Sequence, residues 1–306
     1  MELRLNSALS VDEATLLDMH SVLNVMNVIV YELMSLGDAL KGCPEIDALT
    51  DATVAIAATL REPKEAYRQV ANVDGYITRV RHELSVVFRE RGVVGSSWYR
   101  DRMTNLESIF TVLTVRAAEL TARHADPDAW VTFSIADLKE SLWTVFRAIE
   151  KNSRGGYRIV NNLARHEEGD YLVHLDITSP WRDQIHMPAV FQDVMRDLLA
   201  NARKYTKPGG TITAGLHCSD TELRFVVADT GRGIPPDEIQ SVVGFGKRGS
   251  NTKDRPTRGA GIGLTKAHYV TRKFGGRMFI DSTGVPGSGT RIEIRLPQPA
   301  ALAQTA

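Results

Sequence analysis

Cysteine is nearly absent: Cys43 and Cys218 are the only two in a chain of 306 residues. They lie far apart and in stretches of different character, which predicts two reduced thiols in a cytosolic protein rather than a disulfide framework or a thiolate metal centre. Charge imbalance is missing as well, with 37 basic against 37 acidic side chains. Zero net charge removes the electrostatic case for nucleic acid as the main partner, because phosphate binding needs a concentrated basic face. Long apolar runs are also lacking. The most apolar N-terminal stretch, Val22 to Met34, is interrupted by Asn24, Asn27 and Glu32. No segment reaches the roughly 18 apolar residues of a membrane crossing. The expectation is a soluble, cytoplasmic protein with no signal peptide and no membrane span. No internal repeat is visible. No G-x-x-x-x-G-K-S/T segment occurs, so a P-loop is excluded.

What is present is 43% hydrophobic residues, enough for about two domains with cores. From residue 10 to about 125 the pattern is helical, with breaks at Gly42-Cys43-Pro44, at Glu62-Pro63 and across Gly92 to Ser97. Four helices are expected, near 10–41, 46–61, 63–91 and 97–125. In the first, Leu16, Met19, Leu23, Met26, Val30, Leu33 and Leu40 keep alternating steps of three and four, with Gly37 in the vacant slot. That is a heptad seam, suited to a helical bundle and to a dimer. Past His124 to Pro127 the texture becomes alternating strand and helix. Strands are expected near 130–133, at YLVHLDI, near 184–187, 210–217, 222–229, 276–282 and 289–296, and helices from 135, over 188–205 and over 263–274. The fold class is α+β: an all-α dimerisation bundle over 10–125, an α/β-sandwich domain over 130–297 and a flexible tail over 298–306.

Four segments stand in fixed order in the second region: DLLANARKYT (197–206), DTGRGIP (229–235), GFGKRGS (244–250) and GAGIGLT (259–265). An asparagine on a helix offers a neutral, hard carbonyl oxygen of the kind Mg²⁺ accepts while keeping waters and phosphate oxygens. Asp229 ends the apolar strand LRFVVAD; an acceptor-only carboxylate there can take the amino hydrogens of adenine and so reject guanine. Gly231 and Gly233 let the backbone pass close to a base. GAGIGLT opens a helix, whose free amides and dipole suit phosphate. Its G-x-G-x-G spacing, with no strand directly before it, does not fit the dinucleotide fingerprint. Lys247, Arg248, Arg255 and Arg258 lie on the intervening Gly- and Ser-punctuated loop, which fits a mobile lid.

Together the four segments resemble the N, G1, F and G2 boxes of the ATP-binding domain of histidine kinases, within the larger GHKL ATPase group. The resemblance covers about 130–297 and includes GSGTRIEIRLP, similar to that family's last hairpin. It implies ATP and Mg²⁺ as cofactors, with Asn201 as the metal ligand. It also implies a nucleotide site formed by Asn201, Lys204, Tyr205, Asp229, Gly231, Gly233, Phe245, Arg258, Gly259, Gly261, Ile262, Gly263, Leu264 and Thr290. Asp197 lies one helical turn before Asn201, where many histidine kinases carry asparagine; as a lining acid it either helps hold Mg²⁺ or acts as a base.

A domain of this kind needs an acceptor. The helix segment DMHSVLNVMNVI resembles the family's phosphoacceptor helix at His20, Asn24, Met26 and Asn27, with Ser21 where an acid usually stands. Positions 20, 24 and 27 share one helix face. The acid normally orients the imidazole and stabilises its developing charge; serine orients without charge. Asn24, by resemblance, positions water for dephosphorylation of a partner. A rival is His82 in RVRHELSVV, where Glu83 supplies the acid, but Val86 and Arg89 depart from the pattern and the helix stops near Arg91. The expectation is a soluble homodimeric histidine kinase that phosphorylates His20 from Mg·ATP and passes the group to the receiver domain of a response regulator. A separate sensor protein is a further expected partner, and the helices near 63–125 are read as an input, docking or extra dimer element. Alternatives are a GHKL ATPase without phosphohistidine, in which Asp197 activates water, a degenerate nucleotide- or receiver-binding scaffold, and a Ser/Thr kinase of the same ATP fold.

Overall fold

A computed structural model describes residues 1–4, 9–153, 155–252 and 261–299. The chain divides into two compact units, Leu9–Pro127 and the chain from Asp128 onward joined by its first residues.

The first unit holds α1 (Val11–Ala39), α2 (Pro44–Thr59), α3 (Pro63–Ala71), α4 (Val73–Glu90) and α5 (Ser97–Ala125). Local chemistry sets their ends. Ser10 closes a capping box: its hydroxyl accepts the Glu13 amide and the Glu13 carboxylate accepts the Ser10 amide, which contributes about 1 kcal/mol. Pro44 and Pro63 open α2 and α3, where a missing amide costs nothing. The single helix expected over 63–91 is in fact two. Asn72, at φ −102° and ψ 17°, interrupts it: its amide still bonds back to Arg68 of α3 while its carbonyl already accepts the Tyr76 amide of α4, and asparagine is a weak helix former. The break lets both pieces turn inward, with Ala66 and Val70 buried before it and Val73, Tyr76, Ile77 and Val80 after it.

α1 buries Met19, Val22, Met26, Ile29, Leu33 and Leu36 in the core of this unit, packing mainly on α2 and α5. The three-four rhythm is present, but its line is shifted. Met19, Met26, Leu33 and Gly37 of the expected seam are buried, whereas Leu16, Leu23, Val30 and Leu40 are half-buried. A helix with neighbours on two sides buries a band broader than one seam, and the second half of the seam lies at its edge. Beside it Val28, Tyr31 and Met34 are exposed by 41%, 45% and 52%, so α1 shows a half-exposed apolar stripe among the described residues. By length and composition alone α1 is also apolar enough to cross a membrane, with a mean hydropathy of 1.2 over eighteen residues. The expectation that no segment reaches that length therefore does not hold.

The second unit runs β1 (Trp130–Ser134), α6 (Ile135–Asn152), β2 (Ile159–Val160), β3 (Tyr171–Thr178), β4 (Gln184–Pro188), α7 (Phe191–Tyr205), β5 (Thr211–Cys218), β6 (Glu222–Asp229), α8 (Gly263–Lys273), β7 (Arg277–Ser282) and β8 (Thr290–Pro297). Six strands form one sheet in the order β2-β3-β5-β6-β8-β7, and β1 pairs with β4 apart from it. β3 runs parallel to β2 and β5, and the remaining pairs are antiparallel. Alternation decides the faces. Ile212, Ala214 and Leu216 of β5, Phe225 and Val227 of β6, and Ile292, Ile294 and Leu296 of β8 pack with Leu142 and Phe146 of α6, Leu198 and Leu199 of α7 and Val270 of α8. On β8 the alternate positions are Arg291, Glu293 and Arg295. Glu293 accepts from Arg224, Arg291 and Arg295 at 2.7, 2.5 and 2.7 Å, and these guanidiniums hold its carboxyl down at about 2.

Two features were not expected. β2 is only two residues long, too short for any periodicity. The first residues add to the sheet edge at β7: Leu3 donates its amide to Met278, Ile280 donates to Met1, and the Leu3 side chain is buried in the core of this unit.

Candidate nucleotide-binding site

The site assembles where β6 ends and α7 and α8 meet. β6 delivers Asp229 opposite Thr290, the first residue of β8. The Gly231 amide donates to Asp229 Oδ1 at 2.8 Å. Burial pushes the Asp229 carboxyl up to about 6, against the opposing pull of the Gly231 and Thr290 amides and the Thr206 hydroxyl. A carboxylate kept partly dry and oriented by donors on one side suits a fixed acceptor role toward a base amino group.

The glycines here are required by close approach. A Cβ on Gly231 would lie 2.6 Å from the Tyr205 carbonyl and 2.7 Å from Asp229 Oδ1. Gly233 sits at φ +73°, hard against Ser282 and Gly284. Ser282 ties the two loops together, accepting the Ile234 amide and donating to the Gly289 carbonyl, both at 2.8 Å. Tyr205, at the end of α7, also accepts the Arg232 amide through its carbonyl, and Lys204 extends its ammonium over the Tyr205 ring at 5.3 Å.

One turn earlier on α7 lies Asn201, and α8 starts directly against it. A Cβ on Gly263 would be 3.0 Å from Asn201 Nδ2 and 3.7 Å from the Asp197 Cβ. Ile262 caps α8 and has no side-chain oxygen to offer, so the cap residue itself leaves the first amides of the helix open to another acceptor. Ile262 itself is buried and Leu264 packs on the core. Gly261, at φ +72°, approaches the Lys247 carbonyl and the Arg248 side chain, and Thr265 donates to the Gly244 carbonyl at 3.1 Å. The GFGKRGS turn bearing half-buried Phe245 therefore rests on the GIGLT turn. Arg248 and Arg232 donate to the Thr252 and Asn251 carbonyls. Arg258 and Gly259, with Arg255 of the expected lid, lie outside the described residues.

A chain of contacts thus runs from Asp229 through Gly231, Tyr205 and Asn201 to Gly263. The sequence did not point to Thr206, Ser282 or Gly289, which shape the base end. Thr206 closes the DLLANARKYT segment but was given no role there, and Ser282 is a small polar residue without a motif. Gly289 stood in a hairpin glycine pair whose need for an absent side chain depends on β6. Among the described residues no group of three His, Cys, Asp or Glu could hold a metal. A divalent ion here is left with the Asn201 oxygen, the Asp197 carboxylate and its ligand's phosphates, a hard, sparse donor set that fits Mg²⁺.

His20 and Asn24 lie in the helical unit. Asn24 Nδ2 is 3.2 Å from His20 Nε2, and an amide hydrogen donated there leaves the lone pair on Nε2 and the ring proton on Nδ1. Ser21 Oγ is buried without a hydrogen-bond partner. His82 is exposed on α4, one residue from Glu83, which lies 4.0 Å from Arg79.

Residues 188–300 match the family described as histidine kinase-, DNA gyrase B-, and HSP90-like ATPase. Among curated relatives, histidine protein kinase DivJ of Caulobacter vibrioides is 35% identical over 106 residues, 35% of this chain and 17% of its own. Adaptive-response sensory kinase SasA of Trichormus variabilis is 36% identical over 118 residues, 36% of this chain and 28% of its own. The chain therefore spans well under a third of the length of these relatives. A solved mycobacterial sensor histidine kinase, MprB, is 22% identical with a TM-score of 0.40, covering 55% of this chain and 97% of that one.

Proposed function

We propose that the protein is an ATP-dependent histidine kinase that phosphorylates its own His20 and hands the group to a response-regulator aspartate. What supports this reading is the run of contacts from Asp229 through Gly231, Tyr205 and Asn201 to Gly263, which suits a base acceptor, an amide ligand and a helix start acting on one nucleotide. The residue chemistry then divides by role. Asp229 accepts from the adenine amino group. The first turn of α8 supplies amides to the phosphates, with Lys204 nearby as a cation. Asn201, aided by Asp197, would hold Mg²⁺, which supplies neutralisation of phosphate charge when bound. The lone pair on a neutral His20 nitrogen attacks the γ-phosphorus, a nitrogen–phosphorus bond forms, the bond to the β–γ bridging oxygen breaks, and ADP leaves. Positioning accounts for most of the acceleration, since phosphoryl transfer asks little covalent chemistry of a protein.

Ser21 supplies no charge for the developing imidazolium, so His20 phosphorylates slowly unless a partner supplies the missing carboxylate. The half-exposed apolar stripe of α1 favours a homodimer, with α1 read as a bundle helix that does not cross a membrane. A cytoplasmic location, a separate sensor protein and a lack of nucleic-acid binding complete the proposal. Incubation with γ-labelled ATP and Mg²⁺ tests it. Acid-labile, alkali-stable label on the protein is expected; phosphate release with no protein label would favour the ATPase alternative, and nucleotide binding with neither would favour the scaffold.

A further inference from the structure

Between α7 and α8 lies a buried charge cluster next to the site. Lys266 is 1% exposed, and its Nζ stands 3.2 Å from Asp193 Oδ2 and 3.7 Å from Asp197 Oδ2. Asp193, also buried, pairs through Oδ1 with Arg196 at 3.2 Å, and Arg196 donates onward to Ser141 of α6 at 2.6 Å. Two carboxylates and two cations thus balance in a largely buried junction linking α6, α7 and α8, with Asp197 at its more open edge. Burying such charges is costly, and an apolar side chain would fill the same space at no desolvation penalty. Lysine at this position therefore calls for a reason other than packing, and its neighbours supply one. Lys266 lies in the first turn of α8 with Gly263. Asp197 and Asn201 are four residues apart on one face of α7. Gly263 abuts Asn201, and Lys266 grips Asp197 and Asp193, so the start of α8 is pinned to α7 at two points.

We propose that Lys266 is a positioning residue for the phosphate end of the site, holding the first turn of α8 in register with Asn201 and keeping Asp197 engaged as an ion-pair partner. This rests on the nucleotide-binding role proposed above and adds to it. The phosphates must meet the α8 amides while a metal reaches Asn201, so the two elements have to keep their spacing to a fraction of an ångström. The base end, built from Asp229, Gly231 and Thr290, does not depend on that spacing. The same ion pair occupies the carboxylate that a hydrolytic reading would assign as the base for water.

The test is a competition experiment against a fluorescent ATP analogue, with Mg·ATP and AMP as competitors. Wild type is compared with Lys266→Met and with Lys266→Met/Asp193→Asn, which removes the carboxylate that lies nearest the lost ammonium. Lys266→Met is expected to weaken Mg·ATP by about tenfold or more while AMP stays within about twofold. The double variant, which still lacks the tie to Asp197, is expected to keep the selective loss while recovering part of the thermal midpoint lost in Lys266→Met. A loss shared equally by ATP and AMP would make Lys266 merely structural, and no loss in the folded double variant would make it dispensable; either result overturns the proposal. A wild-type chain that binds neither competitor sinks the nucleotide-binding role itself, and the proposal with it.

Discussion

Asp229 and Gly289 meet at a separation that admits no side chain: a Cβ on Gly289 would lie 1.6 Å from the Asp229 carbonyl oxygen, and Gly289 sits at φ +74°. The last hairpin can close over the end of β6 only because that position is glycine. Gly289→Ala is expected to destabilise the chain by more than about 2 kcal/mol, combining a left-handed backbone with a direct clash. Thermal unfolding would show it, and an unchanged midpoint would mean that the loop does not lie as described.

Asp229→Asn keeps one acceptor oxygen, which the Gly231 amide claims, so the side-chain NH2 is turned toward the adenine amino group, donor against donor. Affinity for ATP should fall at least about tenfold, consistent with the cost of an unsatisfied buried polar group. The pH dependence has a definite sign. The carboxyl is raised from 3.8 to about 6 in the folded state, so between those values the folded chain binds more protons than the unfolded chain. The burial penalty is absent below about pH 4, grows as pH rises and is complete above about pH 6, reaching at most about 3 kcal/mol. Asp229→Asn should therefore raise the midpoint at pH 7 and leave it nearly unchanged at pH 4. Wild-type ATP affinity should weaken as pH drops through about 6, a dependence the variant lacks.

Glu293 behaves oppositely. Its carboxyl is held at about 2 by Arg224, Arg291 and Arg295, so the stabilisation it gives is present above about pH 4.5 and is lost as pH falls through about 2. Glu293→Gln should lower the midpoint at pH 7 and narrow its gap to wild type in acid. A gap independent of pH would show that the three arginines do not depend on the charge of Glu293.

Much of this was legible in the sequence. Strand and helix positions in the second unit follow from alternation and from long apolar periods, and β3, β6 and α8 fall within a residue or two of expectation. The misses have identifiable causes. Asn72 splits a helix whose apolar period continues through it, so only the backbone reveals the break. The seam on α1 was drawn as one line because a heptad count does not contain the two neighbours, α2 and α5, that widen the buried band. Lys266 reads as an ordinary helix lysine until Asp193 and Asp197 are seen across the junction. Thr206 ends a recognised segment that gave it no role and Ser282 carries no motif, and their part in the site comes from contacts made far along the chain.

The exposed stripe on α1 predicts where two copies meet. If Tyr31 and Met34 line a dimer contact, Tyr31→Glu/Met34→Glu should halve the solution mass at micromolar concentration while leaving helicity intact, since both side chains are about half exposed. Leu33→Ala, on the buried side of the same helix, should instead cost about 2–5 kcal/mol of stability. A wild-type chain that is monomeric at all concentrations would remove the dimer from the proposal.

The most direct test is to locate the phosphoryl group. Protein labelled from γ-labelled ATP with Mg²⁺ would be digested under neutral conditions and mapped by mass spectrometry, with His20→Ala, His82→Ala and Asp229→Asn labelled alongside. The account predicts a modified peptide spanning His20, absent from His20→Ala, strongly reduced in Asp229→Asn and unaffected by His82→Ala. Label on His82, or label that survives His20→Ala, would contradict it.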